Sequence, residues 1–205
     1  MVFQKRSLGA SERDEQRRSA FGKYVKSIVS ERFVFVDECS TNISLSPIHA
    51  RAPRGERACG KAPRNWGENI SLVCAIGTEG VKPSMSVEGA VDGKAFESYI
   101  EHFLAPELGR GQIVIMDNLS VHKSKGVERL IEEAGAKLLF LPPYSPDFNP
   151  IEQAFSKVKS ILRKTSSRTK EALLEATGKA LDAITSEDIR GFYSDCGYRL
   201  PVQSF

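Results

Sequence analysis

Cysteine and histidine are scarce in this chain: four and three among 205 residues. Cys39, Cys59, Cys74 and Cys196 form no CxxC pair, and His49, His102 and His122 stand at no interval that would complete a zinc site with them. Structural zinc and a disulfide framework are therefore not expected, and the thiols read as reduced ones in an intracellular protein. No apolar run approaches the roughly 20 residues that cross a bilayer, and no signal peptide opens the chain, so the expectation is a soluble protein without a membrane partner. Internal repeats and low-complexity tracts are also missing. Excess charge is slight, with 29 Lys and Arg against 26 Asp and Glu and a pI near 8.6. That balance permits a nucleic-acid partner without demanding one, and the distribution of charge has to decide. What is present is ordinary globular usage, 40% hydrophobic and 27% charged, enough for one main domain with a sizeable core.

Residues 1–32 are charged and weakly amphipathic, and read as a linker or lead-in helix outside the core. FVFVD, Phe33 to Asp37, is apolar without alternation, as in a strand buried on both faces, and its run ends at an aspartate. From Pro47 to Asn69 a Gly/Pro/Arg-rich stretch lacks periodicity and reads as a loop or irregular hairpin. ISLVCAIG and VKPSMSVEG read as two strands joined at Thr78 to Gly80. GKAFESYIEHFLAPEL has helical spacing closed by Pro106, and QIVIMD, Gln112 to Asp117, is a second buried strand stopping at an aspartate. VHKSKGVERLIEEAG reads as a helix ended by Gly135 and KLLFLP as a strand. A helix from about Ile151 to Lys164 follows, then two more within 165–205. Helical crossovers between buried strands imply an α/β fold whose mixed sheet combines an antiparallel hairpin with parallel strands, flanked by helices.

One segment is stiffer than a connection requires. LPPYSPDFNPIE, Leu141 to Glu152, carries Pro142, Pro143, Pro146 and Pro150, which restrict nearly every residue before the helix. Locally this is a helix start: Asn149 can cap, Pro150 suits the first position, and Glu152 stands where a capping-box side chain reaches back. Such a role for Glu152 leaves the rigid approach to it unexplained.

In open α/β sheets functional groups gather beyond the carboxyl ends of strands. Asp37 and Asp117 occupy such positions, although each could simply open a turn. Together with a rigidly delivered Glu152 they form a set of carboxylates that repel one another unless a cation neutralises them. Oxygen donors without Cys or His favour Mg²⁺ or Mn²⁺, and the chemistry served by such a set is in-line displacement at phosphorus with two ions per site.

FVFVDE at Asp37, IVIMDNLSVHK at Asp117 and LPPYSPDFNPIEQAFSKVK at Glu152 resemble the catalytic segments of DDE transposases of the mariner superfamily, specifically the bacterial insertion-sequence 630 group. The 34 residues between Asp117 and Glu152 match the spacing of that superfamily. The resemblance spans about Phe33 to Lys164 and implies a ribonuclease-H-like sheet in which the strands bearing the two aspartates lie adjacent and parallel, the glutamate coming from a later helix. It implies a catalytic domain at 33–164 and C-terminal helices packed on it at 165–205. It also implies cleavage of DNA at element ends, strand transfer into target DNA by the freed 3′-OH, a homodimer on DNA, and a bacterial, cytoplasmic, nucleoid-associated protein. Helix-turn-helix modules that read element ends normally accompany the family. Residues before Phe33 are too few to hold them, so a separate or upstream segment would supply that function. Rival readings are a metal-dependent nuclease without strand transfer and a non-catalytic DNA-binding or assembly module.

Supporting groups have two readings each. His122 resembles the histidine of the family's DN…H segment and could contact phosphate or metal-bound water, or serve a helix start; Lys123 is a weaker phosphate candidate. Asn118 could orient Asp117. Lys159 and Arg163 share a helix stripe with Glu152, solvated or facing the DNA backbone. Arg51, Arg54, Arg57, Lys61 and Arg64 read as DNA contacts, whereas Trp66 beside them reads better as cover for a core edge than as a stacking platform.

Overall fold

A computed structural model describes residues 11–200; the outermost parts of the 1–32 and 165–205 segments, residues 1–10 and 201–205, lie outside it. Twelve principal elements follow one another: α1 (Glu15–Lys26), β1 (Phe33–Thr41), β2 (Ile70–Gly77), β3 (Gly80–Val81), β4 (Met85–Glu88), α2 (Gly93–Tyr99), β5 (Ile113–Met116), α3 (Lys125–Glu133), β6 (Lys137–Phe140), α4 (Ile151–Thr165), α5 (Lys170–Asp182) and α6 (Ser186–Asp195). The sheet runs β3-β2-β1-β5-β6, with β4 also on β2. β1 and β2 are antiparallel across eight residue pairs, whereas β1–β5 and β5–β6 are parallel, so the expected mixed sheet is present.

Alternate side chains of the central strands enter two cores. Phe33, Phe35, Leu72, Cys74, Ile76 and Ile115 pack against Phe155, Val158 and Leu162 of α4, Leu173 of α5 and Tyr193 of α6. Val34, Val36, Val73, Ala75, Val114 and Met116 face Phe96 and Tyr99 of α2 and Val127 and Ile131 of α3. That is why FVFV lacks alternation: both faces of β1 are covered. Tyr193 fixes the α6 layer to the sheet, its hydroxyl donating to Phe33 O at 2.9 Å.

Four expectations need correction. VKPSMSVEG is two short strands, because Pro83 lacks the N–H to continue the ladder. The helix beginning at Gly93 relaxes into a π-helical turn at Ile100–Leu104 and a 3₁₀ turn at Ala105–Glu107 before its proline region ends. β1 does not stop at Asp37 but continues to Thr41, since the long antiparallel pairing with β2 carries it past the shorter parallel pairing with β5. Finally, α1 is more than a lead-in: Phe21 and Val25 are buried in the first core despite the helix's many charges.

Candidate active site

The β1–β5 register pairs Phe33 with Ile113 and Phe35 with Ile115. Continuing it by one pleat places Asp37 across from Asp117, immediately beyond the last residue of β5. The β5–β6 register, continued likewise, brings Leu141 beside Asp117 and starts the proline segment there. Asp37, Asp117 and Glu152 consequently line one cleft of about 430 Å³, whose other walls include Leu119, Pro142, Pro143 and Tyr144.

Asp37 is 8% exposed. One oxygen accepts from the Glu38 N–H at 2.8 Å and the other from Asn149 Nδ2 at 2.8 Å. Burial pushes its carboxyl up to about 7, with Asp117, Glu152 and Glu38 adding repulsion and the Glu38 N–H opposing. Asp117 behaves oppositely. Burial would raise it, but the His122 side chain, the Leu119 N–H at 2.9 Å and the charge of Lys123 hold it below the ordinary range.

His122 is fully buried, its ring 4.4 Å from that of Phe96. Nε2 lies 2.9 Å from Glu38 Oε2, and Nδ1 lies 2.7 Å from Asp117 Oδ1, an ion-pair distance without linear hydrogen-bond alignment. Burial disfavours the charged imidazole, yet the two carboxylates outweigh it and lift His122 to about 9. His122 therefore has no free face for phosphate; it links Glu38 on β1 to Asp117 after β5. Asn118 does not orient Asp117 either. Its Nδ2 donates to Leu141 O, tying the end of β5 to the proline segment.

The proposed cap also takes a different form. α4 begins at Ile151 after Pro150, with no side-chain cap. Asn149 is buried and spends its amide on Asp37, so Glu152 is in no capping box and its side chain is exposed. Among the described residues no three His, Cys, Asp or Glu side chains are gathered as a ready metal cage. The physical reason is local: the three carboxylates repel, and Asp37 is held by the Asn149 amide while Asp117 is held by the Leu119 N–H and the nearby His122 ring.

The cationic candidates divide by position. Lys123 is exposed and close enough to influence Asp117. Lys159 and Arg163 are half-buried on α4, and the charge of Lys159 reaches Cys39 on β1. Arg51, Arg54, Arg57, Lys61 and Arg64 all lie exposed in the irregular segment between β1 and β2. Trp66, expected to cover a core edge, is 64% exposed, because this segment stands away from both cores. Glu38 and the link between Asn149 and Asp37 escape a reading of the sequence alone. Only the place of Glu38 beside Asp37 could raise suspicion of it, since its partner lies 84 residues away.

Compared with known proteins, residues 32–174 match the sequence profile of the DDE superfamily endonucleases. The chain belongs to that family. It is 30% identical over 125 residues to the Transposable element Tcb1 transposase of Caenorhabditis briggsae, a match covering 58% of this chain and 46% of the relative, so the chain spans about half that relative's length. Its fold resembles the Mos1 transposase in its paired-end complex with the left transposon end (TM-score 0.77, 18% identity, 97% of this chain and 68% of that one). It also resembles the Mos1 transposase catalytic domain determined with Raltegravir and Mn (TM-score 0.68, 14% identity, 93% and 94%). The mixed sheet is thus the ribonuclease-H-like sheet of the DDE endonucleases. No helix among the described residues is long and apolar enough to cross a membrane.

Proposed function

We propose that this DDE endonuclease is the catalytic part of a mariner-type transposase that cuts DNA at element ends and joins the freed 3′-OH to target DNA. The observation that carries this reading is the shared cleft: carboxylates from two adjacent parallel strands and the start of a later helix line it together. In this reading catalysis resides in residues 33–164, and the helices of 165–205 support it. The motif string resembles that of the bacterial insertion-sequence 630 group, and in this reading the chain is a bacterial, nucleoid-associated protein, dimeric on DNA and served by a helix-turn-helix segment elsewhere.

The donor set suits a divalent cation. All three carboxylates are hard oxygen donors, burial and then the neighbouring carboxylates disfavour the ionised form of Asp37 so that a bound cation would stabilise it, and Asn149 Oδ1 is buried without a partner beside it. Asp37, Asp117 and Glu152 would hold Mg²⁺ or Mn²⁺, in a pair that supplies activation of the attacking oxygen and stabilisation of the leaving one at phosphorus. The protein's own part is positional. His122 keeps Asp117 ionised and aimed, Glu38 steadies His122, and Asn149 holds Asp37. In this reading Lys123, Lys159 and Arg163 would contact the DNA backbone, and Arg51, Arg54, Arg57, Lys61 and Arg64, with the exposed Trp66, would contact flanking DNA.

Incubating the chain with end-labelled duplex and Mn²⁺ tests the reading: nicked strands followed by joined products support it. Nicks without joined products at any DNA concentration favour the plain nuclease, and intact DNA favours the non-catalytic module. DNA binding by this chain should be weak, nearly independent of sequence and steeply salt-dependent. In a salt titration, changing Arg51, Arg54 and Arg57 together to Ala should lower the log–log slope by about 0.9 for every phosphate that is no longer neutralised, with the melting temperature unchanged. Tight, selective binding to one short duplex at physiological salt would contradict this.

The proline segment gives a separate expectation. Changing Pro142, Pro143 and Pro146 together to Ala adds freedom chiefly to the loop, so Glu152 must be ordered when metal arrives. Metal affinity measured by calorimetry should weaken more than the melting temperature falls; the reverse pattern would mean that the segment serves the core.

A further inference from the structure

The 3₁₀ turn at Pro146–Phe148 is the last structure before Asn149 and α4, and it is held from elements remote in sequence. Arg18 of α1 forms a two-point fork on Asp147, Nη1 to Oδ1 at 3.0 Å and Nη2 to Oδ2 at 2.6 Å. Its guanidinium carbon stands 4.4 Å from the Phe148 ring centroid, and Phe21, one turn further along α1, packs on the same ring at 5.3 Å. Tyr198, beyond α6, donates to Phe148 O at 2.7 Å. Both α1 and Tyr198 lie outside residues 32–174, the part shared with the DDE family profile.

An ion pair is a poor way to gain stability here. The Arg18 side chain is only 8% exposed, so its desolvation offsets much of the attraction, while Asp147 is half exposed and keeps water. What a planar fork on a carboxylate supplies is fixed geometry. The residue that needs it lies two positions further along the chain. Asn149 donates to Asp37 at 2.8 Å, but its own Oδ1 is buried with no partner, so nothing else on that side chain sets its orientation. Its place is dictated by the backbone of the preceding turn.

We propose that Arg18 is a positioning residue: by gripping Asp147 it sets the turn that places Asn149 on Asp37 and starts the Glu152 helix. The metal-binding consequence rests on the catalytic reading above; the structural link between Arg18 and Asn149 does not. α1 thereby becomes part of the site's support rather than an entry segment.

The test uses the full chain, labelled with ¹⁵N, and follows hydrogen exchange of the Asn149 side-chain amide without metal. Arg18→Met keeps the packing length and removes the fork. It should speed that exchange about tenfold and raise the Mn²⁺ concentration for half-maximal cleavage about tenfold, the low end of the loss seen when a ligand's supporting contact is removed. Cleavage at saturating Mn²⁺ should fall less. Asp147→Asn, at a half-exposed position where misfolding is not expected, should move both readouts in the same direction and decides the matter if Arg18→Met does not fold. Combining Arg18→Asp with Asp147→Arg should recover part of the amide protection. A lower melting temperature with unchanged Asn149 exchange and unchanged Mn²⁺ dependence would overturn the proposal, leaving the clamp a stability contact. If even the unaltered chain cleaves no DNA, the catalytic reading fails, while the exchange comparison still decides the role of Arg18.

Discussion

Asp117→Asn and Glu152→Gln should each reduce metal-dependent strand cleavage by at least about 10³-fold while leaving the circular dichroism spectrum unchanged, because on the proposed reading each removes a charge that would hold the metal without removing packed volume. Asp37→Asn should be equally inactive and, in addition, more stable than the unaltered chain at neutral pH without metal. The sign follows from linkage. In the folded protein Asp37 is raised to about 7, well above its ordinary 3.8. Between those values the folded state binds more protons than the unfolded state, so stability is fully present below pH 3.8 and is lost as pH rises through 7. Asparagine mimics the protonated carboxyl and escapes that loss, at about 1.4 kcal/mol per pKa unit as an upper bound. Melting curves at about pH 8 in a chelator should place Asp37→Asn above the unaltered chain, the gap closing toward about pH 4. A variant that melts lower at the alkaline end would show that Asp37 serves the fold in its ionised form.

Removing His122 should have the second largest effect. His122→Leu fills similar space against Phe96 but leaves Glu38 and Asp117 facing each other without the cation between them. Breaking a buried charge contact of this kind costs about 3–5 kcal/mol, less here because Asp117 is partly exposed. A loss of about 2–3 kcal/mol corresponds to a melting temperature lower by roughly 4–12 °C for a chain of this size. Cleavage should fall about 10- to 100-fold even at temperatures where the variant is folded, because Asp117 loses both its aim and its low pKa. Glu38→Gln combined with His122→Leu should recover stability but not activity, since it removes the repulsion and leaves Asp117 unaimed. Recovery of full activity in the double variant would mean that His122 only insulates Asp117 from Glu38.

The extent to which these features are legible in sequence follows the range of the interactions that make them. Phe33–Val36 and Ile113–Met116 are readable as buried strands because every side chain in them is apolar, and α4 because Ile151, Phe155, Val158 and Leu162 recur at helical spacing. The two aspartates closing those apolar runs, the rigid proline approach to Glu152 and the family-like spacing then suggest Asp37, Asp117 and Glu152 as one set. Partner choice is a different matter. The contacts of Asn149 with Asp37, His122 with Glu38 and Arg18 with Asp147 bridge 112, 84 and 129 residues, and no local pattern encodes them. Asn149 reads as a cap because asparagine before Pro-Ile-Glu is a helix-start pattern, and the buried carboxylate that captures its amide instead is visible only in three dimensions. Trp66 misleads for the opposite reason: aromatic residues usually cover a core, but here no core surface lies under the segment that carries it.

The most direct measurement of the central claim is anomalous scattering from Mn²⁺ introduced into crystals of the unaltered chain. Density is expected in the cleft with oxygens of Asp37, Asp117 and Glu152 at about 2.1 Å from the metal and, in the presence of DNA, a second site roughly 3.5–4 Å from the first. Mn²⁺ bound elsewhere at saturating concentration, with Asp37 still held by Asn149 and Asp117 by His122 and no metal between them, would contradict it.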